Sequence, residues 1–519
     1  MTEREWREAS DMRVSTLGIG SVLLTAAVLR FWGLGHGIPF AIGIDEPEIM
    51  ERAVRMMKTG DLNPHFFDYP SLYIYVQLVV VVLRFLVGAS AGLWHSLADV
   101  GAADFYLWGR VVTASLGTAT VFLVYQIGMR WGTRHALLAA GLMALLPNHV
   151  RESHFVLTDV PMTFFVTLAF LQALQAHERG KDSTFLFAGV AAGLAAATKY
   201  TGAVALLLPL MAAYMTRGLD RPRMRSALLA VGGFVLAFLV AAPYTVLDLP
   251  HFLDGYARLA SDVSLDGRAS DPGWLIYLKH LRTGLGWPAL LLAFGGLGLF
   301  IVRIVTGPGQ TRFAMVLVFL AVYFPLIAAR TLIFARYTLP MLPFVCLLAA
   351  VAVVSGVSLL RRFDIPRWAR TALIAALTIA ALLPPAIGSI RFDRDASRKW
   401  TYRYAYEWLL ANVPAGHRIA LEGVGLRLPE PRFTAQHLRR LTQMDYEGYA
   451  AAGVEYVVAS SHYFGAPLEA PNQHPGDWAA YSKLFGKSEL LATFSPGPTV
   501  PGPELRIYRV APLGDAGTR

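Results

Sequence analysis

Long apolar blocks recur along this chain and are separated by short polar segments. Most blocks run for about 16 to 22 residues with few charges, and a helix needs about 20 apolar residues to cross a bilayer. The pattern predicts an all-α polytopic membrane protein with about eleven transmembrane helices. The predicted spans lie near residues 14–32, 105–128, 135–148, 160–176, 183–198, 202–216, 226–246, 286–305, 313–329, 338–357 and 371–389.

The last part of the chain has a different pattern. Residues 390–519 are more polar, and the short runs "RIALEG", "VEYVVAS" and "ELRIYRV" are typical of strands. Helical stretches lie between these runs, so a small α/β domain is predicted. The chain is thus divided into a membrane domain over residues 1–389 and a C-terminal domain over residues 390–519.

Basic residues predict the orientation in the membrane. Lys and Arg are concentrated in the short loops "RWGTRH", "HERGKD", "RGLDRPRMR", "RIVTGPGQTR" and "RRFDIPRWAR". Loops of this kind stay in the cytoplasm. A multi-pass protein of the cell (inner) membrane is therefore predicted. Its outer loop 33–104 and its C-terminal domain lie on the extracytoplasmic side.

Residues 72–90 do not fit this scheme. They are apolar enough to span the membrane, but a span here would reverse the orientation of every later loop. Arg84 lies within the segment, and a charge at the middle of a bilayer is costly. The segment is therefore predicted to be a juxtamembrane or re-entrant helix on the outer face.

The composition supports the membrane class and excludes others. Charged residues make up only 16% of the chain, whereas about a quarter is usual for a soluble protein. The net charge of +10 comes mostly from the cytoplasmic loops, so no nucleic-acid partner is predicted. Cys346 is the only cysteine, which excludes disulfides within the chain and a cysteine metal site.

Three of the carboxylates predicted on the outer face are candidates for catalysis. Asp45 and Glu46 follow the first span, and Asp159 precedes another span beside Pro161. One interpretation is structural, because Asp45 followed by Pro47 is good capping chemistry for a helix. The other is chemical, because a carboxylate in a cleft of low dielectric can act as a general base.

Cations are predicted on the same face. One interpretation is that these long side chains extend along the helix ends to reach the membrane surface. The other is that they form a binding site for a lipid phosphate, because arginine binds phosphate oxygens in a bidentate manner. Asp68 and His65 also lie there, but their spacing is not specific for a metal. The cations are Lys199, Arg258, Arg330 and Arg336.

Motifs of nucleotide-dependent enzymes and of common hydrolases are missing from the sequence. It has no Walker loop, no dinucleotide fingerprint, no G-x-S-x-G with a triad and no H-E-x-x-H. Nucleotide-driven chemistry is therefore not expected.

Several short motifs follow one another in an order typical of one class of enzymes. They are "DE" in the first outer loop, "FFDYPSLYIY", R-x-S-H-x-x-x-x-D-V-P over residues 151–161, "TKYTG" and "ARYTLPMLP". In this order the chain resembles the GT-C glycosyltransferases, in particular the protein O-mannosyltransferases and the lipid A aminoarabinose transferases. The resemblance implies a sugar donor that carries a polyprenyl phosphate.

The resemblance also implies roles for individual carboxylates. Asp45 corresponds to the catalytic acid of the first loop, Glu46 to its usual neighbour and Asp159 to the acid of the second loop. Asp68 stands where the aminoarabinose transferases have a glutamate that approaches a metal. Lys-Pro-Pro or His-Pro-Pro follows at this point in the two families, whereas Tyr69-Pro70-Ser71 follows here, so a divalent metal is left open.

Donor-binding residues are predicted by the same correspondence and by their place on the outer face. Arg151 matches the arginine that precedes the second-loop acid, and Arg336 and Tyr337 match residues near the lipid phosphate. Lys199, Arg258, Arg330 and Tyr69 complete the predicted donor-binding set.

The predicted function is transfer of a sugar, with inversion, to an extracytoplasmic acceptor, with Asp45 as general base. The acceptor is a protein, a glycolipid or a glycan, and the sugar is left open between hexoses and pentoses. The alternative is a transporter or flippase of a lipid-linked sugar. That alternative predicts internal repeats with broken helices, which the sequence lacks. A scaffold subunit would leave the acids on one face unexplained.

Overall fold

The computed structural model describes residues 3–38, 40, 45–216, 221–261, 271–306, 311–330, 332–359, 365–423, 425–429 and 432–510. These residues form two compact units. The membrane unit comprises Met1–Trp32, Ile49–Asp99 and Trp108–Phe392, and the C-terminal unit comprises Gly33–Glu48, Val100–Leu107 and Asp393–Arg519. The domain boundary predicted at residue 389 stays a prediction.

Helices make up nearly all of the membrane unit. In chain order the helices up to residue 392 are α1 (Glu3–Phe31), α2 (Glu46–Thr59), α3 (Leu72–Ser90), α4 (Tyr106–Gly128), α5 (Thr133–Leu145), α6 (Pro147–Glu152), α7 (Asp159–Arg179), α8 (Asp182–Thr198), α9 (Leu207–Met215), α10 (Arg221–Ala241), α11 (Tyr244–Leu247), α12 (Leu249–Ser261), α13 (Gly273–Thr306), α14 (Thr311–Ala328), α15 (Leu342–Leu359) and α16 (Arg367–Ala396). Two longer 3₁₀ segments, Tyr200–Leu206 and Ala335–Met341, precede α9 and α15.

Many of these helices are suited to a membrane. Among the described residues, seven helical stretches are long and apolar enough to cross one: Leu72–Ser90, Tyr106–Gly128, Asp159–Arg179, Arg223–Ala241, Gly273–Thr306, Ala335–Val357 and Arg367–Asn412. Four shorter apolar helices are Thr16–Phe31, Asp182–Thr198, Tyr200–Met215 and Phe313–Ala328. The all-α membrane class is therefore confirmed, while the number of spans and the juxtamembrane placement of 72–90 stay predictions.

Helix α13 consists of two helical parts that meet at a kink. It begins at Gly273, the kink lies at Gly286, which has a positive φ of 74°, and the part after the kink corresponds to the span predicted over residues 286–305. Pro288 follows the kink and removes a backbone donor. The apolar pattern finds only the part after the kink, because the part before it contains Lys279 and Arg282.

Glycine allows close packing of α8 against α10. A Cβ atom on Gly193 would lie 2.3 Å from the carbonyl oxygen of Phe234, and one on Gly189 would lie 2.0 Å from that of Ala230. On α10, a Cβ atom on Gly233 would lie 2.5 Å from the carbonyl oxygen of Leu186. Small residues at a spacing of four let membrane helices approach to backbone contact. These contacts fix the position of α8, which ends directly before Lys199.

The C-terminal unit contains a mixed five-stranded sheet in the order β2-β1-β3-β5-β4. The strands are β1 (Arg418–Glu422), β2 (Thr434–Leu438), β3 (Tyr456–Ser460), β4 (Glu489–Phe494) and β5 (Leu505–Arg509). Strands β2, β1 and β3 are parallel, whereas β5 and β4 are antiparallel to their neighbours. The remaining helices are α17 (Thr401–Asn412), α18 (Tyr446–Ala451), α19 (Ser461–Glu469) and α20 (Pro475–Lys487).

Both faces of this sheet are covered. Ile419 and Leu421 pack with Leu409 of α17 on one face, whereas Ala420 and Tyr481 of α20 belong to the core on the other. Alternation of side chains along β1 explains this division. The small α/β domain predicted at the C-terminus is confirmed.

Candidate functional site

A buried carboxylate lies at the start of α7. Asp159 is the first residue of this helix, and its side chain is 2% exposed. The backbone carbonyl of Asp159 accepts a hydrogen bond of 2.7 Å from the Thr163 hydroxyl. This bond stabilises the first turn of α7, and the Asp159 carboxylate forms its contacts with other elements of the membrane unit.

Two cations from distant parts of the chain reach this carboxylate. Lys199 Nζ lies 2.7 Å from Asp159 Oδ1, and Arg336 Nε lies 3.6 Å from Asp159 Oδ2. Lys199 follows α8 with an extended backbone, and Arg336 lies in the 3₁₀ segment before α15. Both side chains are largely buried, at 11% and 15% exposure. The three residues are called the charge cluster below; two positive charges in it face one negative charge.

Aromatic rings line the charge cluster. Lys199 Nζ lies 4.3 Å from the centre of the Tyr337 ring and 5.7 Å from that of Tyr69. The guanidinium of Arg336 lies 4.3 Å from the centre of the Phe334 ring. Rings at this distance attract cations and limit the water around them. The structure thus brings together Asp159, Lys199, Arg336, Tyr337 and Tyr69 from the predicted set.

A second carboxylate near the charge cluster was missed as a site residue by the sequence prediction. Glu152 ends α6 and is 5% exposed, and its Oε1 lies 3.7 Å from Nε of the exposed Arg151. Burial raises the pKa of Glu152, and the negative charge of Asp159 raises it further, whereas the nearby cations lower it. Its place beside Arg151 in the motif was the only available signal, because burial is not visible in the sequence.

A buried arginine holds α6 in position. Arg30 of α1 donates to the carbonyl oxygens of Ala144 at 3.0 Å and Met143 at 3.1 Å, at the end of α5. Nη2, the nitrogen that donates to Met143, also lies 2.9 Å from His149 Nδ1. A cation is favourable at a helix C-terminus, where carbonyl groups lack partners. Arg30 therefore links α1, α5 and α6.

The segment before α3 is attached to α12. Asn63 Nδ2 donates to Asp248 Oδ2 at 2.7 Å, and His251 Nδ1 lies 2.6 Å from Asp248 Oδ1. The Tyr200 hydroxyl donates to the carbonyl oxygen of Phe67 at 2.9 Å. These bonds fix the chain on both sides of residue 65 and so place Tyr69 beside Lys199.

Of the two predicted metal residues, His65 contacts a different acid, Asp61. His65 Nε2 lies 2.8 Å from Asp61 Oδ2, and Asp68 is exposed. Within the described residues, no group of three or more His, Cys, Asp and Glu side chains could hold a metal ion. A metal at Asp68 and His65 would therefore need ligands other than the described His, Cys, Asp and Glu side chains, and this site stays a prediction.

Four other predicted residues are either exposed or belong to the other unit. Arg258 on α12 and Arg330 after α14 are exposed. Asp45 directly precedes α2, and Glu46 is its buried first residue; both belong to the C-terminal unit. The roles predicted for these residues stay predictions.

Part of the chain is similar to a known family of membrane enzymes. Residues 75–255 match the family model of the dolichyl-phosphate-mannose-protein mannosyltransferases. The chain is 29% identical over 168 residues to dolichyl-phosphate-mannose–protein mannosyltransferase 1 of Saccharomyces cerevisiae, covering 29% of this chain and 20% of the yeast protein. The chain thus matches about a fifth of that relative's length.

Solved structures with the same architecture cover nearly the whole chain. ArnT from Cupriavidus metallidurans, bound to undecaprenyl phosphate, has a TM-score of 0.54 at 13% identity and covers 97% of this chain and 99% of its own. The oligosaccharyltransferase of Archaeoglobus fulgidus has a TM-score of 0.54 at 14% identity, covering 95% of this chain and 75% of its own.

The fold and the family match together confirm the class recognised from the motifs. The protein is a membrane protein with the fold of the GT-C glycosyltransferases. The segment 75–255, which matches the mannosyltransferase family model, contains Glu152, Asp159 and Lys199.

Proposed function

We propose that this protein is a membrane glycosyltransferase that takes a sugar from a polyprenyl-phosphate donor and transfers it to an acceptor on the extracytoplasmic side. The charge cluster carries the proposal. It holds a lysine and an arginine in a largely buried site, and two of its three residues lie in the segment that matches the mannosyltransferase family. The undecaprenyl phosphate bound to the structurally similar ArnT supports a polyprenyl donor.

Lys199 and Arg336 would bind the phosphate of the donor. When the bond between the anomeric carbon and the phosphate oxygen breaks, the phosphate changes from a singly to a doubly charged group. Cations that are already in place therefore stabilise the leaving group more than the bound donor, which is what lowers a barrier. Asp159 would keep the two cations apart from each other and oriented, because one of its oxygens faces each of them.

Asp45 would act as the general base. The acceptor hydroxyl or amine loses its proton to the Asp45 carboxylate and attacks the anomeric carbon from the side opposite to the phosphate. The new bond forms as the phosphate leaves, so the configuration at this carbon is inverted. The position of Asp45 directly before α2, in the first outer loop, supports this assignment by resemblance alone.

The remaining predicted residues complete the donor site. Tyr337 and Tyr69 would border the phosphate, since both rings lie next to Lys199. Three exposed arginines complete the proposed donor site and would contact the bound donor: Arg151, Arg258 and Arg330. Glu46 is assigned a supporting role beside Asp45.

The experiment uses purified protein in lipid and a panel of polyprenyl-phosphate sugars with a cell-envelope extract as acceptor. Mass spectrometry follows the release of free polyprenyl phosphate. We expect release by the wild type and loss of release in both Asp45→Asn and Lys199→Met. Glu51→Gln, an exposed carboxylate on α2, the helix that Asp45 directly precedes, is the matched control for Asp45→Asn and should retain activity.

The outcomes separate the alternatives. Loss of release in Lys199→Met but not in Asp45→Asn would contradict the general base and keep the phosphate site. No release with any donor would contradict the transferase, and a liposome assay for movement of the intact donor would then test a transporter. A parallel reaction with EDTA tests a divalent metal: unchanged release would contradict one at Asp68 and His65.

A further inference from the structure

The C-terminal unit contains a cavity that the proposed reaction does not use. Its volume is about 390 Å³, and its walls are formed by two segments, the turn that follows α1 and the residues that link α16 to α17. Binding sites for small molecules usually enclose about 300–1,000 Å³. The cavity is therefore large enough for a small ligand or for the headgroup of a lipid.

We propose that this cavity binds the phosphate headgroup of an anionic membrane lipid. The proposal is independent of the transferase reaction, since none of the residues assigned to that reaction lines the cavity.

The wall formed by the link is basic. Across residues 391–403, "RFDRDASRKWTYR", five Lys and Arg residues stand against two aspartates. Three of these cations line the cavity: Arg398, Lys399 and Arg403. Arg398 Nη1 lies 3.1 Å from Asp395 Oδ1, and Arg403 Nε lies 3.0 Å from Glu407 Oε1.

The acids near the cavity do not neutralise the cations. Lys399 and Arg403 share the single carboxylate of Glu407. Arginine has five N–H donors in a planar fork, so a guanidinium that contacts a carboxylate with one nitrogen can still bind phosphate. The side chains of Arg403 and Lys399 are 45% and 40% exposed, which leaves them accessible to a ligand.

The opposite wall is a glycine-rich turn, "GLGHG", over residues 33–37. Gly33 and Gly37 adopt positive φ angles of 78° and 69°. The amides of His36, Ile38 and Phe40 donate to the carbonyl oxygens of Gly33, Gly35 and Gly37 within this turn, so the cations of the link provide the groups that bind an anion. His36 adds an aromatic ring, whose centre lies 6.0 Å from the ring centre of Trp400.

The position of both walls in the chain favours a lipid over a soluble anion. Gly33 follows the apolar helix α1 after one residue, and Ala396 is the last residue of α16. Both walls thus begin where a helix that is suited to a membrane ends. Trp32, directly before the turn, is 43% exposed, and tryptophan is enriched at the membrane surface. A basic cluster that follows directly on a membrane helix in the chain attracts anionic lipid headgroups.

The test measures lipid binding by native mass spectrometry on the full-length protein in detergent. The probes are phosphatidylglycerol, zwitterionic phosphatidylcholine and inorganic phosphate. Gly35→Leu fills the cavity without a change in charge, since nothing lies within 4 Å of a Cβ atom there. Arg403→Gln removes one cation. The matched controls are Gly486→Leu, also at an open position, and Arg440→Gln, which loses an ion pair with Asp477 elsewhere in the unit.

We expect phosphatidylglycerol to bind the wild type and both controls. Arg403→Gln should bind it about tenfold more weakly, as expected for loss of one charged hydrogen bond, and Gly35→Leu should also bind it more weakly, because the leucine side chain occupies the space of the headgroup. Equal affinity in test and control variants would overturn the proposal, and so would equal binding of phosphatidylcholine. Binding of inorganic phosphate without phosphatidylglycerol would overturn the lipid and assign the site to a soluble phosphate. Because transferase activity is not measured, the result does not depend on the proposed function.

Discussion

Removal of Lys199 from the charge cluster should destabilise the membrane unit. Asp159 is 2% exposed, so Lys199→Met leaves a buried carboxylate with Arg336 alone. At an effective dielectric of about 20, the attraction is about 6 kcal/mol over 2.7 Å and about 4.6 kcal/mol over 3.6 Å. Lys199 therefore supplies the larger share.

The net cost is smaller than this attraction, because Lys199 also loses water on burial. Removing one partner of a buried pair costs about 3–5 kcal/mol, and the lower value applies here because Arg336 remains. Unfolding changes the entropy by about 2.1 cal/mol/K per residue, or about 1.1 kcal/mol/K for 519 residues, so Tm should fall by about 3 °C.

The assay is thermal unfolding in detergent, followed by tryptophan fluorescence. Lys487→Met is the matched control, because Lys487 lies at the same distance of 2.7 Å from Glu447 but both side chains are exposed. Its Tm should not change measurably, since exposed pairs contribute little. In a double-mutant cycle with Asp159→Asn, Lys199 should couple more strongly than Arg336. A fall in Tm no larger than that of the control, or additive effects in the cycle, would refute the reasoning.

Further changes give four more expectations. Glu152→Gln should raise Tm at neutral pH but not near pH 4. Burial raises the pKa of Glu152 in the folded protein, so the unfolded chain loses this proton first, and wild-type stability falls as the pH rises toward the folded pKa. An equal change in Tm at every pH would contradict this. Arg30→Met should lower stability by about 3 kcal/mol or more, because it leaves the carbonyls of Ala144 and Met143 and the His149 ring without their donor. Arg30→Lys should cost less. Equal Tm values for the two variants would contradict the claim that the guanidinium binds these three groups together. Glu422→Ala removes the carboxylate that accepts from the Leu441 and Ser460 amides and from the Tyr481 hydroxyl. Hydrogen exchange of the amides in the C-terminal sheet should therefore accelerate, while exchange in α7 stays the same. Unchanged exchange in the sheet would contradict a structural role for Glu422. Gly193→Ala should lower Tm, since its Cβ would lie 2.3 Å from a carbonyl oxygen, whereas Gly298→Ala, at an open position, should not; equal Tm values would contradict close packing of α8 and α10.

The strands of the C-terminal unit illustrate what a sequence pattern can predict. The runs "RIALEG", "VEYVVAS" and "ELRIYRV" correspond to β1, β3 and β5, which are the three central strands of the sheet. The two strands that were not predicted, β2 and β4, are the edge strands. A central strand is covered on both faces and is therefore apolar, whereas β2, "TAQHL", is only partly buried and carries a weak signal.

The membrane class, most of the long apolar helices and the order of the motifs were determined by the sequence alone, because a bilayer requires long apolar blocks whatever their packing. The sequence also predicted Asp159, Lys199 and Arg336 as separate residues on one face. Only the tertiary structure decided that these three form one charge cluster, since residues 159, 199 and 336 meet through the packing of α7, α8 and the 3₁₀ segment before α15. The burial of Glu152 was likewise decided there, because side-chain burial depends on neighbours that are distant in the chain.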